Sequence, residues 1–269
     1  MAVRPRHDRY GFPGDSRSGG DDPCFSGRDV RNERPADPEG AVDVIAEGIR
    51  DARPGEIPFR LCRAAVQLLP VSGASVCLRS NGVPVRLGAS SAEASHVAEI
   101  QATLGDGPCV RAAEVGVPVL ASDLTAGRDA RRWPVFAQQA TAVGVQAVYS
   151  MPLGDEAVTV GTLDLYRDTP GRLSEQELRT ARLVAGLMTV ALMALPREEN
   201  GGAGDEPWLS GLAADHDEVY QAIGMVMAQL GVEADEALAR LRAHAFAQDR
   251  TILEVAHDVV VRRKRLDPG

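Results

Sequence analysis

Cys109 has the most suggestive chemical surroundings in this sequence. It follows Gly105–Pro108, a turn-forming segment that can place the thiol near a helix N-terminus. Such a position lowers the pKa of a thiol and increases the fraction of reactive thiolate. A small cysteine is more often a buried packing residue. We therefore expect Cys109 to be structural and keep thiol chemistry as an alternative.

Other catalytic and metal-binding patterns are missing from the sequence. The four cysteines are widely spaced and include no CxxC pair, so neither a metal site nor a disulfide framework is indicated. The five histidines form no HExxH motif, and the chain has no Walker loop and no GxGxxG segment. Because the sequence contains no metal or nucleotide motif, the identity of any cofactor stays unknown. We expect the protein not to be an enzyme.

Composition limits where the chain can act. Its 269 residues suffice for two domains, and no apolar run approaches the ~18 residues of a membrane span. The N-terminus lacks the apolar segment of a secretory signal. These features predict a cytoplasmic protein that does not contact membranes. The formal net charge is −9, so any contact with nucleic acid requires a local basic patch.

Arginines near the C-terminus offer such a patch. Arg240, Arg242 and Arg250 precede the basic run Arg262–Arg265. A guanidinium presents a planar set of donors that suits phosphate groups and guanine. However, basic residues at helix ends are also what the helix dipole favours. Charge alone therefore leaves both solvated helix ends and a nucleic-acid surface open.

Three amphipathic helices are predicted between Leu209 and Val261. Gly231 ends the first and a capping box of Thr251 and Glu254 begins the third. The residues that repeat at helical spacing and should be buried are Leu212, Val219, Ile223, Val226 and Leu230 in the first helix, Leu238, Leu241 and Ala245 in the second, and Ile252, Val255, Ala256 and Val259 in the third.

The residue order of these helices resembles the ANTAR domain, a small helical RNA-binding module of bacterial transcription antiterminators. The likeness lies in Ala222, Gly224 and Met225, then Leu241–Ala243, then Asp249–Arg250. It implies an RNA-facing surface formed by Gln221, Gly224, Met225, Arg242, Ala243 and Arg250. Small residues there would let RNA approach the backbone.

Two expectations follow for individual positions of this surface. Arg242 and Arg250 should lie beside the apolar stripes, so that replacing them changes helix content and stability little. Many ANTAR relatives place lysine where this chain has Ile223. Ile223 removes one phosphate contact and extends the apolar stripe. We expect a homodimer whose contacts include the helix Ser174–Leu195 or the helix Leu209–Leu230, and in the second case Ile223 would lie in the helix–helix interface.

The region before these helices mixes helical and strand periods. Helices are predicted over Val42–Leu69 with breaks at Pro54 and Pro58, and over Ser91–Leu104, Trp133–Val143 and Ser174–Leu195. Strands are predicted over Ala74–Ser80, Val83–Leu87, Val117–Ala121, Gln146–Leu153 and Ala157–Tyr166. Hairpin turns are predicted at Asn81-Gly82 and Gly154-Asp155. This order indicates an α+β domain with an antiparallel sheet flanked by helices.

Five short segments of this region, in this order, resemble a GAF domain, a small-molecule-sensing relative of PAS domains. They are Gly105–Val110, Pro118–Leu124, Trp133–Phe136, Met151–Leu153 and Gly161–Tyr166. The likeness implies a possible ligand pocket lined by Asp123, Trp133, Phe136, Tyr149 and Asp164. Packing roles for the aromatic residues, and ordinary turn and strand roles for the aspartates, remain alternatives.

The GAF likeness also bears on Cys109. A GAF-fold enzyme, the free methionine sulfoxide reductase, uses a cysteine in a similar setting together with a second cysteine shortly upstream. None occurs between Cys77 and Cys109.

The two likenesses together predict the domain map and the function. Residues 1–40 are rich in glycine, proline and charge and are expected to be disordered. A GAF sensor follows at 41–196, then a linker at 197–207 and an all-α three-helix ANTAR domain at 208–266. The prediction is a signal-responsive antitermination regulator of actinobacterial type that binds RNA stem-loops in leader transcripts, as a homodimer, with a possible small-molecule ligand. The alternatives are a GAF-type protein-binding or dimerisation module without RNA activity, and a thiol redox enzyme using Cys109.

Overall fold

A computed structural model of the chain contains a five-stranded antiparallel sheet. The structure describes residues 38–80, 83–154, 158–194, 207–263 and 265–266. The strands are β1 (Gly73–Ser80), β2 (Val83–Ala89), β3 (Val119–Ala121), β4 (Ala147–Gly154) and β5 (Thr159–Arg167), in the spatial order β2-β1-β5-β4-β3. The predicted α+β class and the predicted strands are confirmed. Asn81-Gly82 and Asp155, at the predicted hairpin turns, lie outside the described residues.

Helices surround this sheet and continue beyond it. They are α1 (Pro38–Ile49), α2 (Ile57–Leu68), α3 (Ala92–Leu104), α4 (Pro108–Val115), α5 (Gly127–Arg132), α6 (Pro134–Ala142), α7 (Glu175–Met193), α8 (Pro207–Leu230), α9 (Ala234–Ala247) and α10 (Ile252–Val260). A 3-10 turn at Pro54–Glu56 separates α1 from α2, as the prolines predicted. Helices α4 and α5 were not predicted from the sequence. Both are short, and α5 has no buried residue that would mark an apolar stripe.

The two faces of the sheet differ in chemistry because successive strand residues point to opposite sides. One face packs on α1, α2 and α7 through apolar side chains, among them Val76, Met151 and Leu163. The alternate strand positions are also buried but polar: Ser75, Cys77, Ser150, Thr162 and Asp164. The second face of the sheet therefore combines these residues with a second apolar cluster that includes Val148 and Tyr166. Helix α4 packs on β4 and β5 beside the polar residues.

Local sequence signals fix several helix ends. Ser174 and Glu177 form the predicted capping box at the start of α7, and Thr251 and Glu254 form the one before α10. Gly105 ends α3 with a left-handed φ of 64°, a conformation that favours glycine. These caps place the C-terminus of α3 and the N-terminus of α10 where the two regions of the chain meet.

The three C-terminal helices share a hydrophobic core of their own. Every predicted core residue from Val219 onward is buried in it, except that Leu230 is partly buried. Leu212 cannot be assigned because its side chain lies outside the described residues. Residues 1–37 of the predicted disordered segment 1–40 and residues 197–206 of the predicted linker 197–207 also lie outside them, whereas Pro38 begins α1 and Pro207 begins α8. Within the described parts of the chain, no helix is long and apolar enough to cross a membrane.

The described residues belong to one compact unit, Pro35–Gly269. Helices α9 and α10 contact α3 of the sensor region. One such contact caps a helix: the backbone N–H of Ile252, the first residue of α10, donates to Thr103 Oγ1 at 3.1 Å. The two residues are 149 positions apart, so no local pattern predicts this cap.

Candidate nucleic-acid interface and sensor interior

Helix α8 has an outward face of small and polar residues. Gln221 and Gly224 are exposed and Met225 is partly exposed, whereas Val219, Ala222 and Val226 lie in the core. A Cβ built on Gly224 would meet no atom within 4 Å. Glycine in a helix interior costs about 1 kcal/mol relative to alanine. No packing contact among the described residues explains this glycine.

Arg242 lies against the sensor rather than in solvent. Its Nε donates to the carbonyl oxygen of Ala102 at 3.3 Å. Its guanidinium covers Gly105, where an added Cβ would lie 2.5 Å from Arg242 Cζ. The Nη2 atom is buried and has no hydrogen-bond partner among the described residues. Burial lowers the pKa of this guanidinium below its usual range. Arg242 therefore lies beside the apolar stripe, and its contact with the sensor was not predicted from the sequence.

Arg250 is held within the ANTAR region by its own hydrogen bonds. Its Nη1 donates to Asp258 Oδ2 at 2.7 Å and its Nη2 to the Glu254 carbonyl oxygen at 3.0 Å. Asp258 is only 6% exposed and also forms an ion pair with Arg262, in which Asp258 Oδ1 and Arg262 Nη1 are 3.2 Å apart. Arg250 therefore neutralises a buried carboxylate, so we expect its replacement to lower stability, in contrast to the prediction from the sequence. Ala243, by contrast, is exposed on α9.

Ile223 belongs to the core of the C-terminal helices. It is 8% exposed and packs in the same cluster as Val219 and Val226. Most of the apolar stripe that contains Ile223 therefore packs inside the core of the three C-terminal helices. This corrects the expectation that Ile223 serves as a helix–helix interface between subunits.

The five residues proposed for a sensor pocket do not meet at one site. Asp123 Oδ1 accepts hydrogen bonds from the backbone and hydroxyl of Thr125 at an exposed turn. Trp133 and Phe136 pack in an apolar cluster with α3 and α6. Tyr149 lies on the other face of the sheet, where its hydroxyl donates to the Gly171 carbonyl oxygen at 2.7 Å.

Asp164 is the most unusual residue of the sensor interior. It is fully buried, accepts from Ser150 Oγ at 2.5 Å and accepts from Thr162 Oγ1 at 3.2 Å. Burial raises the pKa of its carboxyl group to about 7, against the opposing effect of the two hydroxyl donors. A second polar pair, Ser75 Oγ and Tyr166 Oη, lies 2.6 Å apart on the same face. The sequence marked Asp164 but gave no sign of these partners.

Cys109 is buried at the start of α4. Its backbone N–H donates to Gln101 Oε1 at 2.9 Å. Burial and the nearby Asp164 raise the pKa of the thiol well above its usual range. A nucleophilic thiol requires the opposite shift, which disfavours redox chemistry at this cysteine. Within the described ranges, no group of three His, Cys, Asp or Glu side chains could hold a metal.

Two cavities lie where the sensor and the C-terminal helices meet. The larger, about 470 Å³, is bounded by α3, α6, α9 and α10 and includes Phe246 and Arg250. The smaller, about 210 Å³, is lined by Cys77, Cys109 and Thr162 of the sensor and by Arg242. None of the five proposed pocket residues lines either cavity.

Comparison with protein families identifies both regions. The family model described as GAF domain matches residues 59–193, half of the chain. The chain belongs to the GAF family. A second family model, described as ANTAR domain, matches residues 209–260 of this GAF protein, which follow the sensor. ANTAR domains are RNA-binding antitermination modules and GAF domains sense signals, so the architecture of the GAF–ANTAR protein is regulatory rather than catalytic.

Solved structures resemble the sensor region of the GAF–ANTAR protein. A GAF domain from an Acinetobacter phosphoenolpyruvate-protein phosphotransferase has 11% identity and a TM-score of 0.46, with 59% of this chain and 95% of that chain covered. The free methionine-R-sulfoxide reductase from Neisseria meningitidis has 12% identity and a TM-score of 0.43, with 58% and 89% covered. A domain of a two-component sensor histidine kinase protein from Sinorhizobium meliloti has 18% identity and a TM-score of 0.41, with 52% and 90% covered. No curated protein matches the chain.

Proposed function

We propose that this GAF–ANTAR protein binds stem-loops in leader RNA and regulates transcription antitermination in response to a signal received by its GAF domain. The observation that carries the proposal is the open face of α8. Gly224 has no packing reason to be glycine, and the exposed Gln221 lies one turn away on the same face. Such a face lets a nucleic-acid backbone come close.

RNA recognition on this surface needs no covalent chemistry. Single-stranded loops of RNA hairpins expose unstacked bases and phosphates that arginine and backbone groups can contact. Ala243 adds a second exposed small residue on α9, and Arg242 lies beside it in sequence. A stem-loop held in this way would be unable to rearrange into a competing terminator, so that transcription continues.

The sensor controls this surface in the proposed mechanism. Arg242 is held by the Ala102 carbonyl oxygen, and the α10 amide of Ile252 is held by Thr103. In this arrangement the guanidinium of Arg242 is turned toward the GAF domain and is withdrawn from RNA. A signal that shifts the population toward an undocked state would expose it.

A cytoplasmic homodimer fits the same proposal. Val190 on α7 is 67% exposed and Gly186, one turn earlier, is exposed as well. Met193, one turn later, is 40% exposed, and an exposed apolar strip on a long helix suits a helix–helix contact between two copies. Sedimentation velocity of the purified chain tests this; a monomer at all concentrations would exclude it. The same exposed helix also favours the second candidate function, a protein-binding module without RNA activity.

The deciding experiment is RNA titration of the full chain at several salt concentrations. Structured leader RNA should bind with an affinity that falls as salt rises, because phosphate contacts release counterions. Arg242→Ala should weaken binding and reduce the slope of log affinity against log salt by about one unit. Wild-type protein that binds no structured RNA while still binding partner proteins would establish the second candidate instead.

A further inference from the structure

The smaller cavity at the junction of the two domains is a polar site of limited size. Its volume is about 210 Å³, and its walls combine Cys77, Cys109 and Thr162 with Arg242. Pockets for drug-sized ligands occupy roughly 300–1,000 Å³. The cavity therefore suits an ion or a small molecule rather than a nucleotide.

The Arg242 guanidinium in this cavity carries a charge that no described carboxylate compensates. Its Nε is satisfied by Ala102, but the buried Nη2 has no partner among the described residues. The pKa of the group is lowered by burial alone. Buried charges in proteins are normally paired, because an unpaired ion loses hydration worth roughly several kcal/mol. Arg242 thus has both an unused donor and a need for an anion.

Other charges around the cavity also favour an anion. Arg79 and Glu114 line it as well. The Glu114 carboxylate is paired with Arg111 at 3.2 Å, whereas Arg79 donates to the Ala113 carbonyl oxygen at 3.0 Å and keeps its positive charge. The side chains that line the cavity carry two positive charges and one negative charge, which Arg111 pairs, and the carboxyl group of Asp164 lies near Cys77 and Cys109. A cation would be repelled here, and a neutral ligand would leave Arg242 unpaired.

We propose that the junction cavity binds a small oxyanion, a phosphate or a short carboxylate, through the guanidinium of Arg242, which lines it. The site belongs to both domains, because α9 supplies Arg242 and the sensor supplies the remaining walls. A bound anion would hold Arg242 against α3. This role rests on the proposed function: the bound anion is then a signal that keeps the RNA surface closed.

Isothermal titration of inorganic phosphate into the full chain, at constant ionic strength, tests the site without RNA. The expected result is saturable binding that Arg242→Gln weakens by about tenfold or more, the effect of losing one charge-assisted hydrogen bond. Arg240→Gln is the matched control on the same helix. Arg240 is paired with Glu236 at 2.8 Å and does not line the cavity, so this variant should bind like wild type.

A parallel titration with acetate identifies the source of the oxyanion. Tighter binding of phosphate indicates a phosphate ligand, and tighter binding of acetate indicates a carboxylate. If neither anion binds saturably, the cavity is not an oxyanion site. Equal binding by wild type and Arg242→Gln would overturn the inference too. RNA titration is scored separately, so that loss of either activity leaves the other proposal standing.

Discussion

The guanidinium of Arg242 occupies the space that a side chain at position 105 would need. An ideal Cβ on Gly105 would lie 2.5 Å from both Cζ and Nη1 of Arg242, and the backbone there has a φ of 64°. The glycine thus serves two purposes: it ends α3 and it admits an arginine from another domain. This contact makes the proposed control of RNA binding by the sensor testable at single residues.

Gly105→Ala should tighten RNA binding by the full chain. The added methyl group collides with Arg242 and favours the undocked state, and coupling between sites is typically about 5- to 150-fold. Gly116→Ala is the matched control, since Gly116 ends α4 with a φ of 67° but faces only Thr159 Oγ1 at 3.4 Å. Both variants bear the same backbone strain. Equal RNA affinities for the two would contradict control through this contact.

Gly224→Ala should stabilise the protein and weaken RNA binding. Alanine is favoured over glycine in a helix interior by about 1 kcal/mol, and the added methyl group meets nothing within 4 Å. RNA that approaches the backbone would meet that methyl group. Gly40→Ala in α1, where a Cβ is equally unhindered, should leave RNA binding unchanged. Chemical denaturation and RNA titration measure the two effects, and undiminished RNA binding by Gly224→Ala would remove the α8 face from the interface.

Arg250→Ala should lower the free energy of unfolding by about 1–3 kcal/mol, because it takes a hydrogen-bonding cation from a buried carboxylate. Asp258 keeps Arg262 at 3.2 Å, which limits the loss. Arg240→Ala breaks only the more exposed pair with Glu236 and should cost at most about 0.5 kcal/mol. Thermal unfolding of both variants decides the matter: equal midpoints would show that Arg250 has no structural role.

Asp164 should make the stability of the protein depend on pH. Burial raises the pKa of this carboxyl group from 3.8 to about 7 in the folded chain, so the folded state holds the proton more tightly than the unfolded state. The stabilising contribution of Asp164 to the free energy of unfolding is therefore fully present below pH 3.8 and is lost as the pH rises to about 7.

Asp164→Asn removes this titration and isolates it. Between pH 5 and pH 8, the wild type should lose roughly 3 kcal/mol of unfolding free energy relative to the variant, since each pKa unit corresponds to about 1.4 kcal/mol. Denaturant titrations at the two pH values measure it. A difference that does not change with pH would mean that Asp164 is ionised throughout.

Ile223→Lys should destabilise the C-terminal helices. An unpaired ammonium group buried among Val219 and Val226 costs about 2 kcal/mol or more. Gln221→Lys places the same charge on the exposed face of the same helix and should leave unfolding nearly unchanged. If Ile223→Lys unfolds like wild type and binds RNA more tightly, this residue faces RNA and its assignment to the core is wrong.

The sequence determined much of this molecule because local physics fixes periodicity and caps. The alternation of Ala74–Ser80 corresponds to strand β1, and the helical spacing of Ile252, Val255 and Val259 corresponds to helix α10. The capping boxes at Ser174 and Thr251 act within four residues. These signals, with the ordered motifs of two families, were enough for the fold and for the regulatory architecture.

Only the tertiary structure decided what the charged residues do. Arg242 and Arg250 look alike in sequence, yet one binds a carbonyl oxygen of the sensor and the other a buried carboxylate. Their partners are 140 and eight residues away, respectively. The distant partner leaves no periodic trace, because a hydrogen bond depends on where two surfaces meet in space. For the same reason, the open space around Gly224 and the polar shell of Asp164 became visible only once the chain was folded.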